Sequence, residues 1–404
     1  MNKHIMTATL ALLAMPGFAQ QALWGFSPIT SPEIHPDNTV TFRIQAPDAK
    51  KVWVEGDFLP PVTMQLPDGS SADAPGIAEL IKGEDGLWEF TSDALAPELY
   101  SYFFVVDGMR MPDPANVFRI RDTATVTDVF LIGGDYADYY KVNDVPHGTV
   151  SKVWYESPTL GRDRRMTIYT PPGYDESDRR YPVFYLLHGM GGDENAWSEL
   201  GRATQILDNM IARGEAEPMI VVMTNGNVDM DAAPGETSLG FTPPTTRLRH
   251  TMDGIFEQHF PDVVRYVDSN YRTIADKQHR AIAGLSMGGF HSLHISKEYP
   301  DMFDYVGLFS AAILPQDGTV SPVYDDSDRK LAAQFADAPQ LYWIAIGEKD
   351  FLYDANKDFR AMLDKKGYPY TYRESPDGHI WKNWRIYLTE FLPQLFRTAT
   401  QPGK

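Results

Sequence analysis

The sequence predicts two domains of different class: an all-β sandwich over residues 24–134, then an α/β domain with a mostly parallel sheet over 149–398. Three observations lead there. Short alternating runs separated by turn residues fill the first third of the chain, with no convincing long helix among them. From Thr149 onward, apolar strand-like runs alternate with helical spacing, the pattern of a sheet covered on both faces. Between the two lies a polar, Tyr-rich stretch bounded by Gly and Pro, 135–148, which reads as a linker.

The runs of the first domain are Val40 to Ile44, Lys51 to Glu55, Leu87 to Thr91, Tyr100 to Val106 and Val126 to Leu131. Gly56-Asp57, Asp85-Gly86 and Asp107-Gly108 supply turns. Pro67 to Ile81 reads as a loop with a helical turn near Ile77 to Leu80. In the second domain the strands are Lys152 to Tyr155, Arg165 to Tyr169, Tyr181 to Leu187, Pro218 to Met223, Ala281 to Ala283, Tyr305 to Phe309, Leu341 to Ile346 and Tyr370 to Arg373. Helices are expected at Ala196 to Arg213, Gly254 to Asn270, Phe290 to Tyr299, Arg329 to Phe335, Ala355 to Lys366 and Trp381 to Phe396.

Composition bounds the function. A formal charge of −19 opposes binding to nucleic acid or an anionic membrane surface, so a neutral polymer or small molecule fits better. There is no cysteine, which removes thiol nucleophiles, thiolate metal sites and disulfides. No H-E-x-x-H and no G-x-x-x-x-G-K-[ST] occurs; no cofactor or metal is expected, and Asp229 with Asp231 reads as a solvated loop before a calcium site. Residues 1–19 have a weakly basic head, an apolar run and Gly17-Phe18-Ala19 at the end, as in a signal peptide cleaved after Ala19, so export to the periplasm or medium is expected.

The chemistry gathers around Gly284-Leu285-Ser286-Met287-Gly288. A small apolar strand precedes it and a helix follows, the context in which G-x-S-x-G forms a sharp turn with an exposed serine. A serine hydroxyl needs a base. His379 lies in a loop after the last strand, where parallel sheets place catalytic groups. The orienting acid should follow a strand end between them. Asp350 meets that condition, ahead of Glu348, Asp354 and Asp358. Backbone N–H groups for an oxyanion should come from Met287, directly after the serine, and from the glycine loop His188-Gly189-Met190-Gly191-Gly192, with Met190 ahead of Gly189. A histidine base also implies loss of turnover on acidification through about pH 6.

Together these residues resemble the esterase D-like branch of the α/β-hydrolases, and within it carbohydrate esterase family one, over about Thr149 to Arg397. The resemblance implies a serine carboxylesterase working through an acyl-enzyme, on feruloyl or acetyl groups of xylan. Siderophore (enterochelin-type) esterases share the fold and are the rival, and an inactive glycan-binding protein is a second alternative. The first domain, through Asp85-Gly86-Leu87-Trp88, Tyr100-Ser101-Tyr102 and Val106-Asp107-Gly108, resembles the immunoglobulin-like modules related to family 48 carbohydrate-binding modules. Trp53, Trp88, Tyr100 and Tyr102 are read as core aromatics before sugar platforms, because large aromatics dominate cores.

Asn225 to Arg247 is long, rich in Gly and Pro, and follows a strand that ends on the same sheet edge as Ser286. It is expected to form a mobile substrate rim, with Leu239 and Phe241 touching an acyl group or sugar and Trp197 and Trp381 as opposite walls.

Overall fold

The computed structural model describes residues 29–65, 71–246, 248–316 and 318–397. The proposed leader, 1–19, lies outside them.

Two antiparallel sheets make the first domain. Glu33–Ile34, Val40–Gln45, Leu87–Thr91 and Ile81–Lys82 form one, in an order that places Val40–Gln45 beside Leu87–Thr91. The other runs Arg119–Asp122, Thr125–Ile132, Glu98–Val106, Val52–Gly56, Gly76–Glu79, with Met109–Met111 also paired to Glu98–Val106. Alternation sends Val40, Phe42 and Ile44 inward from the first sheet, to meet Val52, Val54, Tyr102, Phe104 and Phe130 from the second. The stretch expected to be a loop holds strands instead: Ser71–Ala74 pairs with Val62–Gln65, and Gly76–Glu79 extends the larger sheet. Its polar, Gly-containing sequence hid an edge strand that needs few apolar residues, because Gly76–Glu79 ends the strand order. Of the aromatics, Trp88 and Tyr102 are buried, Trp53 is half-buried beneath the Lys51 ammonium, and Tyr100 faces a cleft described below.

The second domain is built on one eight-stranded sheet. Its order is Thr149–Ser157, Arg162–Thr170, Ile220–Met223, Val183–Leu187, Arg280–Leu285, Tyr305–Phe309, Leu341–Gly347, Thr371–Ser375. The first two strands are an antiparallel hairpin, and the six from Ile220–Met223 on are parallel. Central strands are apolar on both sides: every residue of Val183–Leu187 is buried. One face packs on helices Ile255–Asn270, Met287–Glu298, Ser327–Ala336 and Tyr353–Lys366, and the other on Ala203–Ala212 and Trp381–Phe391. The expected helix from Ala196 is broken at Gly201-Arg202 into Ala196–Glu199 and Ala203–Ala212.

Residues 135–148 are not a loose tether. Asp135–Tyr139 is a 3-10 turn, and Ala137 and Tyr140 are buried in the core of the second domain. The Asn209 amide donates to the carbonyls of Tyr139 and Lys141 at 2.9 Å each, and Arg202 Nε to that of Tyr140 at 3.0 Å. The two domains also share a core. Leu99, Ile120 and Val129 of the sandwich pack with Leu200, against Trp381. Beside them the buried Arg385 guanidinium meets the Glu98 carboxylate at 3.0 Å and donates to the Leu200 carbonyl at 2.8 Å.

Candidate active site

The loops at the carboxyl ends of the parallel strands and one edge of the sandwich enclose a cleft of about 780 Å³. Ser286, His379, Met190 and Met287 all line it.

Ser286 sits between the strand Arg280–Leu285 and the helix Met287–Glu298 at φ 53°, ψ −115°, a costly conformation for a non-glycine residue. Its backbone is held on both sides: its N–H donates to the Phe309 carbonyl at 2.9 Å, and its carbonyl accepts from Phe290 N at 3.0 Å and Ala312 N at 3.1 Å. Tight turning here demands bare backbone. A Cβ on Gly284 would lie 2.4 Å from the Gly288 carbonyl carbon, and one on Gly288 would lie 2.4 Å from the Leu187 carbonyl oxygen. Met287 opens the helix, so its N–H is one of the four that no helical carbonyl can reach, at the positive end of the helix dipole.

His379 Nδ1 lies 2.9 Å and 3.0 Å from the two oxygens of Asp350. Asp350 is buried, and its Oδ1 also accepts from Leu352 N at 2.9 Å. A carboxylate can only accept, so the proton is on Nδ1 and the Nε2 lone pair is free for a serine proton. Phe351 lies 4.5 Å and Trp384 4.9 Å from the imidazole, ring centre to ring centre, and they fix its plane.

The glycine loop is shaped by His188. Gly226 N–H donates to His188 Nε2 at 2.8 Å, so Nε2 is unprotonated and Nδ1 carries the hydrogen that goes to the Gly189 carbonyl at 2.7 Å. Burial pushes the His188 pKa down to about 4, which keeps it in this neutral form. The Gly189 carbonyl also accepts from Gly192 N at 3.1 Å. In a trans peptide the N–H points opposite to the C=O, so fixing that carbonyl turns the Met190 N–H away from His188.

Three of the four expected contacts are elsewhere. Trp197 does not line the cleft; it is buried behind Trp381, edge-on at 5.4 Å, with its indole N–H on the Leu187 carbonyl at 2.9 Å. Trp381 does line the cleft. Leu239 and Phe241 are exposed on a small hairpin, Glu236–Thr237 with Gly240–Phe241, and neither is among the cleft's lining residues. That hairpin borders a second depression with Trp154 and Arg162. Of the described residues of that stretch, Thr246 reaches the cleft. The hairpin is drawn aside because Asp231 accepts from Ser238 N at 2.7 Å and pairs with Arg162 at 3.3 Å.

The walls that sequence reasoning missed are Met252, Phe351 and Ile380 from the α/β domain and Asp57, Tyr100 and Asp122 from the sandwich. Phe351, directly after the acid, was findable. The sandwich residues carried no local sign. Desolvation by the surrounding walls raises the pKa of Asp57, against two hydrogen bonds from Ser101 that lower it, and that of Asp122, against the Arg121 charge that lowers it.

The family model "Putative esterase" matches residues 157–395, more than half of the chain. The chain belongs to this esterase family. A curated relative, an endo-1,4-beta-xylanase/feruloyl esterase of Xylanibacter ruminicola, is 28% identical over 371 residues, covering 91% of this chain and 46% of its own. The chain spans about half the length of the curated relatives it matches at the head of that comparison. Among solved structures, a ferulic acid esterase of Anaeromyces mucronatus in complex with ferulic acid aligns with TM-score 0.51 at 22% identity, over 64% of this chain and 95% of that one. The enterobactin esterase of Shigella flexneri aligns with TM-score 0.57 at 16% identity, over 89% and 93%. Likeness at these identities speaks to fold: an α/β-hydrolase, with an all-β module ahead of it.

Proposed function

We propose that this esterase is a serine carboxylic ester hydrolase that removes feruloyl groups, or acetyl groups, from xylan. The observation that carries the reading is one cleft holding a strained Ser286, the His379–Asp350 pair and the two candidate N–H donors. Ser286 Oγ attacks the ester carbonyl carbon while His379 Nε2 takes its proton. The C=O electrons move to oxygen, where Met190 N–H and Met287 N–H receive the charge. Collapse expels the sugar alkoxide, which leaves with the proton from His379. Water then attacks the acyl-enzyme by the same route and releases the carboxylic acid.

The cleft is far larger than an acetyl group requires, and Met190, Met252, Phe351 and Trp381 give it apolar walls suited to an aromatic acyl chain. The name of the Xylanibacter relative supports the same substrate class. A siderophore ester is the second reading, and the enterobactin esterase alignment over both domains favours it. Against it stands the net charge of −19, which repels an anionic ferric chelate. Kinship of the sandwich with family 48 carbohydrate-binding modules, and export by the leader at 1–19, belong to the same proposal.

Turnover of methyl ferulate and of acetylated xylan by wild type and by Ser286→Ala tests it. Wild type should cleave methyl ferulate, and Ser286→Ala should lose turnover on both esters by roughly 1,000-fold or more. Equal rates in the two proteins would overturn the nucleophile. Cleavage of acetylated xylan alone would leave acetyl as the acyl group.

A further inference from the structure

The sandwich does more than lean on the hydrolase: it touches the glycine loop beside the serine. The contact is made by the turn between Arg119–Asp122 and Thr125–Ile132, whose paired ends are Asp122 and Thr125. Thr123 holds that turn at φ 53°. Two-residue hairpin turns favour Gly, Asn or Asp at positive φ, and a β-branched residue there is a true outlier. Such a conformation persists when its surroundings demand it. Here the demand comes from the other domain. Thr123 lies against Gly191, the fourth residue of His188-Gly189-Met190-Gly191-Gly192, so closely that a Cβ on Gly191 would fall 2.5 Å from Thr123 Oγ1 and 3.0 Å from its Cγ2. Gly191 is itself left-handed, at φ 82°.

A charge fastens the same corner. Arg121 Nη2 pairs with the buried Asp193 carboxylate, immediately after the glycine loop, and Arg121 Nη1 donates to the Thr123 carbonyl at 2.6 Å. One guanidinium thus holds both the strained turn and the far end of the loop. Asp193 in turn accepts from Asn195 N at 3.0 Å, at the start of Ala196–Glu199. His188 fixes the near end of the loop from within the hydrolase; Arg121 and Thr123 fix the far end from the sandwich.

We propose that Arg121 and Thr123 are positioning residues that hold the Gly189–Met190 peptide in register with Ser286, so that the oxyanion site of the hydrolase is completed by the sandwich. The proposal rests on the ester-hydrolase reading of the cleft. The shared core of Leu99, Ile120, Val129 and Leu200, with the Arg385–Glu98 pair, keeps the domains docked when Arg121 is removed, so the clamp can be tested separately.

The experiment uses the full chain and the variants Arg121→Ala, Arg121→Lys, Thr123→Gly and Asp193→Asn, each checked for native circular dichroism. Two quantities are read: amide hydrogen exchange in the peptide covering 188–195, and kcat and KM for a small aryl acetate too short to reach the sandwich. Arg121→Ala should speed exchange in that peptide and lower kcat about 10-fold with KM unchanged, a part of the roughly 100-fold or more that loss of a whole oxyanion donor costs. Both steps of ester hydrolysis pass through an oxyanion, so kcat reports the defect whichever step limits. Arg121→Lys should recover part of it. Arg121→Ala combined with Asp193→Asn should fall no further than the lower single variant. Unchanged exchange overturns the clamp whatever the activity. Faster exchange with unchanged kcat, or a rise in KM alone, overturns its role in turnover. If Ser286→Ala matches wild type, the ester-hydrolase reading fails, and the exchange data still decide whether the sandwich holds the loop.

Discussion

Two loops leave adjacent parallel strands at the same edge of the sheet and meet opposite fates. The loop after Val183–Leu187 lines the cleft with Gly189, Met190 and Gly192. The one after Ile220–Met223 begins beneath the site, then turns away, and its hairpin tip borders a separate depression. Strand order alone puts both beside Ser286. Buried polar partners separate them. In the first, His188 holds Gly189. In the second, the buried Arg164 donates to the carbonyls of Asn225 at 2.8 Å and Asn227 at 2.7 Å, and Glu194 accepts from Asn225 Nδ2 and Ala233 N at 2.9 Å each. A loop goes where its buried donors and acceptors find partners, because leaving one unmade costs about 1–3 kcal/mol.

Breaking the first loop should have the largest effect. His188→Ala removes the hydrogen bond on the Gly189 carbonyl and frees the Met190 N–H to turn. We expect kcat for a small aryl ester to fall by roughly 100-fold, close to the loss of an oxyanion donor. A fall of less than about threefold in folded enzyme would show that the peptide is held without the imidazole.

Acid should loosen both loops together. His188 lies under the first, with its pKa depressed to about 4 by burial. His259 lies under the second, depressed to about 3 by burial and by the Arg164 guanidinium, whose Nη1 is 3.3 Å from its Nε2. An unfolded histidine binds its proton near ~6.5. Between that pH and the folded values the unfolded chain holds more protons, so stability is complete above about pH 6.5 and is lost as pH falls through the window. Across their windows His188 contributes on the order of 3 kcal/mol and His259 on the order of 5 kcal/mol. Urea midpoints from pH 7 to pH 4.5 should decline, and His259→Gln should flatten the slope. A midpoint independent of pH over that range would contradict neutral burial of both rings.

The smallest effect belongs to the hairpin tip. Leu239→Ser and Phe241→Ser change exposed side chains outside the cleft, so stability should stay within about 0.5 kcal/mol and turnover of methyl ferulate within about twofold. A large loss on the feruloyl ester alone would return this hairpin to the substrate path.

These loops also show what could be read in advance. The sheet was legible because each buried strand is an unbroken apolar run, as in Val183–Leu187 and Tyr305–Phe309. The chain order of Ser286, Asp350 and His379 was legible because each follows a strand end, and the structure brings Asp350 and His379 into hydrogen-bond contact while Ser286 and His379 share one cleft. The same rule misplaced Leu239 and Phe241, since a strand end says where a loop starts and nothing of the carboxylate that pulls it aside. Trp197 reads as a wall because an aromatic near a glycine loop looks the same in sequence whether it faces substrate or supports the ring that does. Thr123 and Asp122 were invisible for a plainer reason: nothing in their neighbourhood announces Gly191 or Asp193, some seventy residues on.

The buried turn at Asp135–Tyr139 bears on how such a protein can be divided and recombined. A cut before Thr149, at the end of the stretch that reads as a linker, would strip Ala137 and Tyr140 from the core that also holds Phe184 and Trp197, and take the carbonyls of Tyr139 and Lys141 from Asn209. It would also bare Leu200 and Trp381, which the sandwich now covers. The transferable cassette is therefore sandwich, turn and hydrolase together. Gene fusion at the seam before Thr149 would break that shared core.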